Sequence, residues 1–123
     1  MTPETISFRV RYNNTKITFH LKVVSLEDET LYTQRLGKLL DDESQYDKVY
    51  KCIVDALGEW SDKMPTVQEI DDAGKIVEKP IGDGSILEAV REYFKERTPE
   101  SERLTNAAMV TFRNRMVPEV DFL

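Results

Sequence analysis

Two runs of alternating apolar and polar residues meet at Asn13-Asn14, and nothing else in the chain constrains its fold as strongly. Before the pair, Ile6, Phe8, Val10 and Tyr12 alternate with Ser7, Arg9 and Arg11. After it, Ile17, Phe19, Leu21 and Val23 alternate with Lys16, Thr18, His20 and Lys22. A period of two gives each strand one apolar and one polar face, and asparagine accepts the positive φ of a tight turn. The segment from about 5 to 24 is therefore predicted to be a β-hairpin. With Asn13 and Asn14 as the loop, Val10 faces Ile17, Phe8 faces Phe19 and Ile6 faces Leu21, all on one side. The other side gathers Arg9, Arg11, Lys16, Lys22 and His20, with no carboxylate expected among them.

Helical spacing takes over afterwards. Ser25, with Asp28 as its capping-box partner, opens a helix whose inner side is Tyr32, Leu36, Leu39 and Leu40, weakened by Gly37 and ended by Asp41-Asp42-Glu43. Ser44, paired with Asp47, starts a second helix with the stripe Tyr46, Val49, Tyr50, Ile53, Val54 and Leu57. Gly58 is its expected terminator, and Trp60 packs just beyond. Strand-like runs at Thr66–Ile70 and Lys75–Lys79 flank the turn cluster Asp71-Asp72-Ala73-Gly74, predicting a second hairpin over about 66–79 between Pro65 and Pro80. A lone two-stranded ribbon is only marginally stable, so it must pack on something or stand out as an arm. Ser85 and Glu88 open a third helix with the stripe Ile86, Val90, Tyr93, Phe94 and Arg97. Thr98-Pro99 opens a fourth, with Leu104, Ala107, Ala108, Thr111, Phe112 and Met116 inward, ended by Pro118. The expected architecture is α+β: the two hairpins packed on about four helices, one domain over 1–117 and a C-terminal tail over 118–123.

With 123 residues, 40% hydrophobic and 33% charged, the chain suits one folded domain with a real core. No run approaches the roughly 18 apolar residues of a membrane span. Met1-Thr-Pro-Glu-Thr lacks the basic and apolar regions of a secretory signal, so a cytoplasmic location is expected. A single cysteine, Cys52, excludes an internal disulfide, and a single histidine, His20, leaves few catalytic or metal-binding arrangements. His20 reads as a surface side chain and Cys52 as a packed thiol beside the second helix's stripe. Gly82-Asp-Gly-Ser85 lacks the spacing of a phosphate loop and reads as a helix cap, and Asp71-Asp72 lacks the ligand pattern of a calcium loop. No catalytic residue, metal or cofactor is expected.

Charge is unevenly placed. Residues 1–24 carry Arg9, Arg11, Lys16 and Lys22 against Glu4, whereas residues 25–62 carry ten acidic side chains against four basic ones, within a net charge of −6. Such polarity serves solvation, a charged protein partner or head-to-tail self-association. The basic ribbon is the surface on which a nucleic acid could bind, but its aromatics Phe8, Tyr12 and Phe19 lie on the opposite face, unavailable for stacking. Nucleic acid is therefore the alternative, and another protein or a second copy the expected partner. Trp60 and Met64, near Pro65 and Val67, form one candidate contact; Val120, Phe122 and Leu123 of the tail form another.

The layout resembles the small tail assembly chaperones of long-tailed bacteriophages. A short basic strand pair at Ile6–Val23 is followed by an acidic helical middle, the tryptophan of Leu57-Gly-Glu-Trp60, a polar insert with Asp72-Ala-Gly74, and a helix over Ser85–Arg97 with another after it. The resemblance implies a non-enzymatic protein that binds the tape-measure protein during tail assembly in the host cytoplasm. In that family a longer, frameshifted form is common.

Overall fold

The computed structural model describes residues 5–116. Strands β1 (Thr5–Tyr12) and β2 (Thr15–Lys22) form the predicted hairpin, pairing from Thr5↔Lys22 to Tyr12↔Thr15. The register is the expected one, with Phe8↔Phe19, Val10↔Ile17 and Ile6↔Leu21. Asn13 takes φ 56°, and it is the one non-glycine residue with positive φ among those described. Helix α1 (Leu26–Leu40) follows, then a 3-10 turn (Glu43–Gln45) and α2 (Asp47–Glu59). The second hairpin, β3 (Thr66–Ile70) and β4 (Ile76–Pro80), leads to α3 (Ile86–Tyr93) and α4 (Pro99–Met116).

The four strands form one antiparallel sheet in the order β1-β2-β3-β4, so the fold is α+β as expected. The second hairpin is joined to the first through two residue pairs, Ile17↔Val67 and Thr18↔Thr66. The lead-in segment extends this seam, because Lys22 N donates to Trp60 O and Asp62 N donates to His20 O. Beyond Val67 the β3–β4 ribbon leaves the sheet and continues as an arm. Its turn is held by Asp71, whose carboxylate accepts from the backbone N–H groups of Ala73 and Lys75.

The core lies between one face of the sheet and the helices. Phe8, Val10, Ile17, Phe19 and Leu21 meet Tyr50, Ile53, Val54 and Leu57 of α2, Val90 and Phe94, and Leu104, Ala108, Met109 and Phe112 of α4. Phe8 stacks on Phe19 at 5.7 Å and on Phe112 at 6.4 Å. Burying side chains of this size contributes about 1.5–3 kcal/mol each. Tyr50 anchors the far end, donating from its hydroxyl to Phe94 O at 2.7 Å. On the outer edge of β1, Arg115 donates to Ser7 O at 2.7 Å and covers a backbone acceptor that would otherwise invite strand addition.

Several local expectations are corrected. Ser44 does not cap α2: Asp42 accepts from Ser44 N and caps the intervening 3-10 turn, and the N-cap position of α2 is Tyr46, which makes no side-chain capping bond. Gly58 does not terminate α2 but sits inside it, where α3 crosses so closely that a Cβ would lie 2.7 Å from Leu87 Cδ1. Leu40, Tyr46 and Tyr93, expected inward, are exposed, and Arg97 lies beyond the end of α3. In α4, Thr105 and Met109 are buried, and the Thr105 hydroxyl donates to Ser101 O. Ser25 caps α1 as read, accepting from Asp28 N, and Ser85 caps α3 in the same way from Glu88 N. The Val120, Phe122 and Leu123 tail lies outside the described residues.

Candidate functional site

The helical layer covers the apolar face of the sheet, with α4 directly against β1 and α1 and α3 packed on α2. Strand register therefore assigns the opposite face to Thr5, Ser7, Arg9 and Arg11 of β1 and to Lys16, Thr18, His20 and Lys22 of β2. Because Thr18 pairs with Thr66, the same face continues through Thr66, Gln68 and Ile70 of β3 to Ile76, Glu78 and Pro80 of β4. The arm thus extends the surface of the first hairpin.

This face is not uniformly basic. Arg9 Nη2 pairs with Glu78 Oε1 at 3.2 Å, its Nε donates to Thr18 Oγ1 at 3.3 Å, and Gln68 Nε2 reaches Glu78 at 3.4 Å. Asp62 accepts from Thr5 Oγ1. The expectation that no carboxylate shares this face is therefore wrong, because nonlocal pairing of β3 and the arm brings both acids to it. His20 Nδ1 lies 2.8 Å from Ser7 Oγ, the serine directly opposite.

Arg11 and Lys16 differ from Arg9. They are directly opposed, a like-charge cross-strand pair that costs stability. Among the described residues neither pairs with a carboxylate; Arg11 Nε reaches only the backbone oxygen of Asn13, at 3.4 Å. At the same end of the face, Ile70 and Ile76 pair across the arm and are 76% and 68% exposed. Among the described residues, two cations without counter-charge and two exposed isoleucines thus share one end of a sheet face that no helix covers. Lys22 stands at the opposite end, opposite Thr5 and six residues from Lys16, about 20 Å along the strand.

Trp60 belongs elsewhere. It lies on the helical side, edge-on to Tyr32 at 5.1 Å and tilted against Phe112 at 5.8 Å. Met64 is half-buried in the segment entering β3. The structure therefore brings Arg11 and Lys16 together and separates Lys22, Trp60 and Met64 from them. Ile70 and Ile76 are the residues that sequence reasoning missed. Their signal was an isoleucine two residues after Gln68, in phase with the polar side of the ribbon.

The helical side holds smaller features. A cleft of about 230 Å³ runs between Tyr12 and Thr15 and the α3–α4 connection, lined also by Tyr93, Glu96, Thr98 and Glu100. Another, of about 140 Å³, lies between α1 and α2 beside Tyr32, Arg35, Cys52 and Trp60. Burial pushes the Cys52 thiol above its ordinary pKa, so it is protonated at neutral pH and a poor nucleophile. Among the described residues no three His, Cys, Asp or Glu side chains gather as a metal site, and no helix is long and apolar enough to cross a membrane. No protein-family model, curated protein or solved structure matches this chain.

Proposed function

We propose that the chain is a non-enzymatic protein-binding factor acting in the cytoplasm, and that the Arg11, Lys16, Ile70 and Ile76 end of the sheet is its docking site. The supporting observation is the Arg11–Lys16 pair: two like charges face one another with no neutralising carboxylate among the described residues, in a protein that carries an excess of acid. An anionic partner relieves that repulsion, and the adjacent isoleucines supply apolar area to desolvate the contact. The favoured partner is a polypeptide segment with acidic residues flanking an apolar anchor. The resemblance to tail assembly chaperones makes a tape-measure-type protein one partner of this kind. The absence of aromatics from the face, and the Glu78 carboxylate on it, weigh against nucleic acid.

Selection of a displayed peptide library against the immobilised chain tests the proposal. Enriched peptides should be acidic and apolar, and their affinity should fall at least about tenfold in the Ile70→Asp, Ile76→Asp double variant. Enriched peptides indifferent to that variant, or RNA binding that competes with them, would overturn the proposal.

A further inference from the structure

Helix α4 runs antiparallel to β1, an edge strand of the sheet. Near the start of the helix, Glu100 accepts from Asn13 Nδ2 at 3.2 Å and Arg103 lies over the Tyr12 ring. Near its end, Arg115 donates to Ser7 O at 2.7 Å and lies over the Phe8 ring. The chain therefore leaves α4 beside the edge of β1. The residues that follow, Val117-Pro-Glu-Val-Asp-Phe-Leu123, lie outside those described, but their chemistry is explicit: Glu119 and Asp121 alternate with Val120 and Phe122. Acids interleaved with apolar side chains are the composition that the Arg11 and Lys16 end of the sheet face favours.

Reach permits the contact. Ser7 and Arg11 are four residues apart, about 13 Å along the strand, and about 10 Å separates packed layers. Asp121 is five residues beyond Met116, and an extended chain of that length spans about 17 Å. Charge selects the spot. Arg9 is paired with Glu78 and Arg113 with Glu29, and Glu100 at the hairpin turn bonds Asn13. The other end of the face, at Lys22, holds Asp62, which accepts from Thr5 Oγ1. Arg11 and Lys16 pair with no carboxylate among the described residues.

We propose that Glu119 and Asp121 fold back onto Arg11 and Lys16 of the same chain, so that the C-terminal segment is the resident occupant of the docking end and a partner must displace it. This regulation rests on the reading of that end as the docking site. The short tether sets an effective concentration in the millimolar range, so a contact too weak to hold two separate molecules is populated within one. An acidic, apolar partner then binds more weakly by the fraction of chains whose site is still open.

Amide NMR of the full chain and of its Glu119→Lys, Asp121→Lys variant tests the contact. The Arg11 and Lys16 amides should differ between the two chains, whereas those of Cys52 and Val90 should not. The difference should be the same from about 20 µM to about 500 µM protein, because the contact is intramolecular. Raising salt from about 50 mM to about 500 mM should move the native amides towards the variant's positions. A synthetic Val-Pro-Glu-Val-Asp-Phe-Leu peptide should return the variant's amides towards the native positions, and should bind the variant about fivefold more tightly than the native chain. Identical Arg11 and Lys16 amides in the two chains, no response to salt, or a difference that grows with protein concentration would overturn the proposal. Acidic peptides that bind the face of both chains equally would refute displacement and leave the docking reading intact. Arg11 and Lys16 amides unmoved by every such peptide would refute both.

Discussion

Replacing Tyr32 with phenylalanine is expected to stabilise the protein, which is unusual for a change at a core position. The ring is 5% exposed and packs edge-on against Trp60, and its hydroxyl has no hydrogen-bond partner among the described residues. Burial holds its pKa far above the ordinary tyrosine value, the electrostatic expression of the same desolvation. An unpartnered buried hydroxyl costs about 1–3 kcal/mol, whereas phenylalanine keeps the ring contacts and loses only one oxygen's packing. A net gain of about 1 kcal/mol is expected, close to 4 °C in melting temperature for a chain of this size. Urea unfolding followed by the fluorescence of Trp60, the sole tryptophan, reads it directly. Tyr50→Phe is the control, because its hydroxyl bonds Phe94 O; removal strands that carbonyl and should cost about 1–3 kcal/mol. If Tyr32→Phe lowers stability by 1 kcal/mol or more, the hydroxyl has a partner and the reasoning is wrong.

Other perturbations follow from the same packing. Ile53→Ala should cost about 2–5 kcal/mol in urea unfolding, since Ile53 is 5% exposed at the centre of α2; a change within error would mean the stripe faces elsewhere. Gly58→Ala should destabilise by about 1–3 kcal/mol, because its new methyl meets Leu87, whereas Gly37→Ala should stabilise by up to about 1 kcal/mol. Stability should fall as pH rises above about 9. The folded state holds Tyr32, Tyr50 and Cys52 protonated above their ordinary pKa values, whereas the unfolded chain releases those protons, so alkali favours unfolding. Urea midpoints at stepped pH check this; a flat profile to pH about 10.5 would contradict it, and Tyr32→Phe should flatten it in part.

The register of the N-terminal hairpin was legible because alternation and turn chemistry are both local, although β2 ends at Lys22 and leaves Val23 exposed beyond it. The second hairpin was legible for the same reason, but its attachment was not. Two pairs, Ile17↔Val67 and Thr18↔Thr66, join it to the sheet, and no period in the sequence encodes pairing across nearly fifty residues. That attachment also brings Glu78 to Arg9, whereas Arg11 and Lys16 pair with no carboxylate among the described residues. The basic residues could therefore be read in sequence, but their division into paired and unpaired could not. Gly58 misled for a related reason: a glycine near a helix end suggests termination, whereas here the approach of Leu87 explains it. Leu40, Tyr46 and Tyr93 carry the right spacing but lie where their helices run past the core.

The most direct test of partner docking on the uncovered sheet is amide and methyl NMR mapping of the labelled chain, titrated with a selected peptide. Shifts should concentrate on Arg11, Lys16, Gln68, Ile70 and Ile76, leaving Tyr32, Cys52 and Val90 unmoved. Shifts centred instead on the cleft at Tyr93, Glu96 and Glu100, or on the groove between α1 and α2, would place recognition on the helical side and contradict the account.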